Sequence, residues 1–300
     1  MSTAAFTVEP IDYEAGLADL RLVRESVFVR EQGVPLALEW DELDPLCKHV
    51  IARDAGGDAI GTGRLTPRHT VGRMAVLPGW RGRGVGDAML HALLDQARAL
   101  GWQDSSLHAQ ASAIEFYARH GFLPVGDRFE EAGIDHQSMR RLLGAANPVE
   151  TREAGIAAVV GVAATARRQV LVYSRELDPG LLDAPPVLAG LRRLATGGGE
   201  IRILLQDPAT PQRALAPMIA LAQRLPSAFA FRAVEEPTDR SYPSAYVAND
   251  RDGFYFRTLG HRFEGETRLD GAGRARQLRA NFDPVWERAR PCTEYRTLGL

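Results

Sequence analysis

The 300-residue chain holds one lysine, Lys48, among its 36 basic residues; the rest are arginines. A Walker A phosphate loop needs Gly-Lys-Ser/Thr, which occurs nowhere, so that class of nucleotide chemistry is excluded. A protein-kinase strand lysine or a Schiff-base lysine would each have to be Lys48. Cysteine is nearly as scarce. Cys47 and Cys292 stand far apart and match no metal-ligand spacing, so no metal is expected. No apolar run approaches the roughly 18 residues that a membrane-spanning helix needs. The opening Met1-Ser2-Thr3-Ala4-Ala5 has neither a basic n-region nor a long apolar stretch. These absences predict a cytoplasmic protein with reduced thiols and no membrane partner.

What is present reads as globular. Apolar residues make up 45% and charged residues 25%, and the length suits two domains or one large one. The net charge of −2 hides an asymmetry: residues 1–150 carry 15 basic and 21 acidic groups, residues 151–300 carry 21 and 17. Neither half has the basic density of a dedicated nucleic-acid binder.

Periodicity predicts strands over 6–11, 49–53, 59–65, 71–77, 105–109, 122–125 and 136–142. Helices are predicted over 13–32, 86–100 and 113–120. Small residues and a proline at 144–148 mark a linker, giving domains 1–146 and 150–300. The alternation then restarts: helices over 151–168, 187–195, 211–225 and 274–289, and strands over 169–173, 201–205, 229–234, 245–248 and 254–257. The expected class is α/β (α+β), with a mixed, splayed sheet flanked by helices in the first domain and a partly parallel, helix-covered sheet in the second.

The densest chemical signal is Arg81-Gly82-Arg83-Gly84-Val85-Gly86, which joins a strand to a helix. Glycines permit close backbone approach, and amides at a helix N-terminus cradle an anion. The spacing is Gly-x-Gly-x-Gly, which fits the dinucleotide fingerprint poorly. Downstream stands Ala113-Ile114-Glu115-Phe116-Tyr117-Ala118-Arg119-His120-Gly121-Phe122. Together, in this order, the two segments resemble the GCN5-related N-acetyltransferases (GNAT family) over about residues 6–143. Phe28-Val29-Arg30-Glu31-Gln32-Gly33-Val34-Pro35, the acidic run Glu39-Trp40-Asp41-Glu42-Leu43-Asp44, Leu107–Gln110 and 131–139 narrow the likeness to the ElaA/YjcF-like branch.

The resemblance implies acetyl-coenzyme A as cofactor. It gives the loop residues Arg81, Gly82, Arg83, Gly84, Val85 and Gly86 to the pyrophosphate, and the strand residues Met74, Ala75 and Val76 to the pantetheine arm. Phe116 also falls on the cofactor side, as does Gln110, which stands where many relatives carry asparagine. It makes Tyr117 the acid that protonates the departing thiolate, a role a phenol fills because it stays un-ionised at neutral pH. On the acceptor side, His136 and Glu39 are candidate bases, and Glu31, Trp40, Asp41 and His108 candidate substrate contacts. The carboxylates of residues 31–44 are also expected to draw in a cationic amine, with Glu42 and Asp44 read as solvated loop charges.

The reading is therefore an N-acetyltransferase acting by direct transfer on a small-molecule or protein amine. Two alternatives stay open: a coenzyme A-binding sensor, and an enzyme like the acyl-homoserine-lactone synthases, which share an early helix with Arg and Phe, here Arg24 and Phe28. The second half weakly resembles a phospholipase-D-like domain. With Tyr242, Ser244 and Asn249 in place of its histidine, lysine and aspartate, that chemistry is absent. The half is expected to be non-catalytic and to contact a protein partner or ligand, with Arg274, Arg276 and Arg279 forming a polar helix face.

Overall fold

The computed structural model describes residues 5–209 and 217–295. By contacts the chain divides into two compact units. One comprises residues 1–110 and 127–144, the other residues 111–126 and 145–300.

In the first unit, strands β1 (Phe6–Ile11), β2 (Lys48–Asp54), β3 (Ala59–Leu65) and β4 (Val71–Val76) form an antiparallel sheet in that order. Helix α1 (Tyr13–Arg24) starts where Asp12 accepts from the amides of Glu14 and Ala15. The predicted α-helix over 13–32 does not run through. Glu25–Glu31 is π-helical, with Gln32 N–H bonded to the Val27 carbonyl. The widened turn keeps Val23, Val27 and Phe28 together on the core formed with Ile51, Ala59 and Ala75. A four-residue helix, α2 (Leu36–Glu39), precedes β2, and α3 (Val85–Ala99) packs its Met89, Leu90, Leu93, Leu94 and Ala97 inward.

A second, three-stranded sheet has the order β5 (Asp104–Gln110), β7 (Ile134–Leu142), β6 (Leu123–Glu131). Thr70, just before β4, forms an isolated parallel bridge with Ser106 of β5. Beyond it β4 and β5 share no ladder among the described residues, so the sheet splays along the later part of β4.

The second unit is three-layered. Its eight-stranded sheet runs β15 (Arg290–Pro291), β11 (Phe229–Ala233), β10 (Glu200–Leu205), β9 (Gln169–Ser174), β12 (Ala245–Asn249), β13 (Phe254–Arg257), β14 (Gly265–Arg268), β8 (Asn147–Val149). Strands β9, β10 and β11 are parallel, and β12 returns beside β9 antiparallel. Helices α5 (Arg152–Thr165) and α6 (Pro185–Thr196) pack together, and α5 lies on β12 and β13. Helix α7 (Pro217–Arg224) follows β10; the earlier part of the helix predicted over 211–225 lies outside the described residues. A short α8 (Pro237–Arg240) precedes β12. Helix α9 (Ala272–Arg288) contributes Leu278, Phe282 and Trp286 to a core with Tyr173, Tyr246 and Phe254.

The segment Ile114–Arg119, one and a half turns, is α4, and its contacts are in this second unit, with α5. Past its exposed first residues, Arg152 and Glu153, α5 is apolar all round, as befits a helix with little solvent face. Gly161 inside it costs about 1 kcal/mol of helix propensity relative to alanine. The reason is space: a Cβ there would lie 2.9 Å from the Ala118 carbonyl oxygen.

Asn249, Ser244 and Tyr242, singled out in the sequence of the second half, are spent on structure. The Asn249 amide donates to the Val162 carbonyl (2.7 Å) and the Thr165 hydroxyl (2.8 Å) and accepts from the amides of Arg251 and Gly253. The Ser244 hydroxyl donates to the Thr258 carbonyl, and Tyr242 sets its ring edge-on to Tyr173. On α9, Arg279 donates to the Asn249 carbonyl, Arg276 to the Ala272 carbonyl, and Arg274 lies over the Phe256 ring. Both cysteines are buried thiols, and among the described residues no helix is long and apolar enough to cross a membrane.

Candidate active site

The glycine loop has the geometry of an anion cradle. Gly82 and Gly84 sit at φ of +71° and +84°, a region that costs L side chains strain, and a Cβ at either would meet nothing within 4 Å. No side chain caps the N-terminus of α3, so its first amides face the loop. The two loop arginines differ. Arg81 is committed: it grips Glu31 with two bonds (2.6 and 2.7 Å) and donates to the Val76 carbonyl. Arg83 lies over the Trp80 ring at 5.1 Å and makes no ion pair among the described residues, so it is the loop's available cation.

β4 presents Met74, Ala75 and Val76 past the bridge to β5. Its ladder with β3 breaks register between Thr62 and Arg64, and opposite that break Arg73 adopts φ +49°. This bulge kinks the strand immediately before Met74 and re-aims it.

The acidic run is the largest departure from expectation. Asp44 is fully buried, not solvated: both its oxygens take bonds from Arg24 and one also from Arg64 (2.6 Å). Arg24, itself fully buried, also holds Glu39 (2.6 Å) and lies over the Trp40 ring at 4.0 Å. Arg64 clamps Asp41 through two bonds, and Arg73 approaches Glu39 at 3.4 Å. Four of the five carboxylates between residues 31 and 44 are thus neutralised by Arg24, Arg64, Arg73 and Arg81; Glu42, which is exposed, is the fifth. The run presents little net charge and gives no strong pull on a cationic amine.

This network sets an acid limit on stability. The Arg64 hydrogen bond holds the Asp41 carboxyl below its usual range. Burial would raise Asp44, but the bond from Arg24 and the two arginine charges override it and hold it low as well. Both groups stabilise the fold above their unfolded values and lose that contribution as pH falls through their folded ones. Burial raises Glu39 despite Arg24, so protonating it opposes the loss. We expect the melting temperature to fall below about pH 4, measured by thermal scans across pH, with an Asp41→Asn variant showing a shallower acid slope.

The other acceptor-side candidates form a separate group on the three-stranded sheet. The Phe129 ring meets His108 edge-on at 4.9 Å and stacks with His136 at 5.9 Å. His136 Nδ1 lies 2.8 Å from the Ile134 carbonyl. That acceptor requires Nδ1–H, which leaves Nε2 with the lone pair in the neutral ring. His108 is half exposed and faces Glu131 at 3.3 Å. Gln110 pairs in register with His136, and its side chain donates to Gln32.

Tyr117 and Phe116 stand on α4 in the second unit, their rings edge-on at 4.9 Å. Burial alone pushes the Tyr117 hydroxyl up to about 12, with no opposing charge or hydrogen bond among the described residues. The phenol is therefore protonated across the physiological range, a donor and not a base.

Comparison with known proteins covers the two halves separately. A family model described as an acetyltransferase (GNAT) domain matches residues 26–143. A second, described as a domain of unknown function (DUF7931), matches residues 151–298. The chain is 37% identical over 132 residues to YjcF of Bacillus subtilis, named as an uncharacterized N-acetyltransferase, covering 43% of this chain and 94% of that protein. It is 31% identical over 140 residues to B. subtilis YyaT, covering 45% of this chain and 94% of that protein. The crystal structure of Escherichia coli ElaA is 25% identical, covers 46% of this chain and 99% of that one, and superposes with a TM-score of 0.42. The relatives are matched almost end to end, whereas they account for under half of this chain. Through that half the protein belongs to the GNAT acetyltransferase family and is an acyltransferase.

Proposed function

We infer that the protein is an acetyl-coenzyme A-dependent N-acetyltransferase that moves an acetyl group directly to a primary amine. The observation that carries this reading is the pairing of an uncapped, glycine-lined α3 N-terminus with the splayed edge of β4. A charged diphosphate joined to an extended, amide-bearing arm needs one of each. The bound cofactor would supply the activated thioester.

The chain's own groups do the rest. Amides at the start of α3 and the Arg83 guanidinium hold the pyrophosphate, while Gly82 and Gly84 keep the cradle open. Backbone groups of Met74–Val76 orient the arm and polarise the acetyl carbonyl. The amine must lose a proton as its nitrogen attacks, and His136 Nε2 is the favoured base. Glu39 is less suited, since Arg24 and Arg73 already claim its oxygens. Asp41 and Glu31 are held by Arg64 and Arg81 in the same way, so Trp40 and His108 remain the better acceptor contacts. Tyr117 donates to the departing sulfur. A thiolate near 8.5 is less basic than a phenolate near 12. Tyr117 gives its proton to the sulfur as the C–S bond breaks, and the proton taken from the amine returns to the phenolate, the stronger base of the two, which regenerates the phenol. In this reading residues 1–146 are the acetyltransferase domain, and residues 150–300 have no chemistry of their own.

The test is isothermal titration of the full chain with acetyl-coenzyme A, followed by an amine panel read by free-thiol release. Binding together with acetylated product from at least one amine is expected. Absence of binding at millimolar ligand would sink the reading, and binding without thiol release across the panel would favour a sensor.

A further inference from the structure

We propose that the second unit is a working part of the acetyltransferase: α5 seats the helix that carries Tyr117, and Gly161 is the positioning residue at that contact. This rests on the role given to Tyr117 above.

α4 has six residues and no side-chain cap at its N-terminus. A helix that short has no stability of its own in water, so its orientation is set by what it packs against. Its partner is α5. Ala118, next to Tyr117, is buried, and its carbonyl oxygen lies where only a glycine at 161 leaves room. α5 is in turn a fixed body. Thr151 caps its N-terminus by accepting from Ala154 N–H. Near its C-terminus, Asn249 ties down the Val162 carbonyl and the Thr165 hydroxyl, and Asp250 accepts from the amides of Arg167, Arg168 and Gln169 just beyond it. The close approach at Gly161 therefore transmits the second unit's rigidity to the backbone beside the phenol. A general acid loses effect when displaced by about 1 Å, and a Cβ at 2.9 Å forces a shift of several tenths of an ångström.

The experiment is a small set of full-length variants assayed for kcat and for acetyl-coenzyme A KM, with circular dichroism and melting as fold controls. Gly161→Ala is expected to lower kcat about tenfold with KM for the cofactor within a factor of about 3, the split expected when a transition-state contact is disturbed. Gly155→Ala is the control on the same helix, because a Cβ there meets Tyr255 and Leu181, not α4; its kcat should be unchanged. In a Tyr117→Phe background, Gly161→Ala should have no further effect on kcat, since both changes act through one hydroxyl. Unchanged kcat in Gly161→Ala, or a full tenfold loss in the Tyr117→Phe background as well, would overturn the proposal while leaving Tyr117 as the acid. Full activity in Tyr117→Phe itself would remove the acid role and this proposal together.

Discussion

Tyr117→Phe is expected to lower kcat by about 10²-fold or more, the ordinary worth of a general acid, with acetyl-coenzyme A binding unchanged. The substitution removes one oxygen from a site where burial already keeps the phenol protonated. The ring stays, with its edge-on contacts to Phe116 and Phe122, so the fold has no reason to change. Steady-state kinetics and titration with the cofactor separate the two effects. The pH profile adds a sign. Because Tyr117 titrates only near 12, it places no alkaline limb on the wild-type rate below about pH 10. An unshifted, fully active Tyr117→Phe enzyme would mean that water or another donor protonates the sulfur.

Arg24→Ala should cost about 3–5 kcal/mol of stability, the loss that follows when one partner of a buried charge cluster is removed. Arg24 is the hub: its guanidinium serves Glu39, Asp44 and the Glu39 carbonyl while lying on Trp40. Arg64 still reaches Asp44, but Glu39 would keep only the more distant Arg73. Lysine at 24 cannot restore the fork. Glu39→Gln in the Arg24→Ala background should recover part of the loss, because the stranded charge goes with it. Urea midpoints measure all three variants. Arg53→Ala is the comparison, since its pairs with Glu9 and Asp19 are at the surface and are worth about 1 kcal/mol or less. Equal losses at 24 and 53 would show that the buried cluster carries no special weight.

These cases mark where sequence reading succeeds and stops. The strand over 59–65 matches its predicted bounds residue for residue because the Ala55-Gly56-Gly57-Asp58 turn before it is a local signal. The glycine loop and the Phe116-Tyr117 segment were legible because their chemistry is written in contiguous residues. Strand β14, Gly-Glu-Thr-Arg, was not: it is short and polar and shows no alternation. Asp44 was misread for a deeper reason. An aspartate looks the same in sequence whether water or two arginines solvate it, and its partners lie 20 residues away on either side. The partner of α4 was invisible likewise, because beyond Arg152 and Glu153 α5 is a run of mostly apolar residues with no period tied to residues 114–119.

The chain's path between the two units also has a consequence in time. It leaves the first unit after Gln110, returns at Asp127, and leaves again after Gly144. During synthesis, at roughly 5–20 residues per second, α4 emerges a few seconds before α5. Until Arg152–Thr165 is made, the nascent N-terminal half has its glycine loop and its tyrosine but no surface to seat that tyrosine's helix. On the role proposed for Tyr117, a chain ending at residue 146 would hold the glycine loop and the phenol without the helix that seats α4.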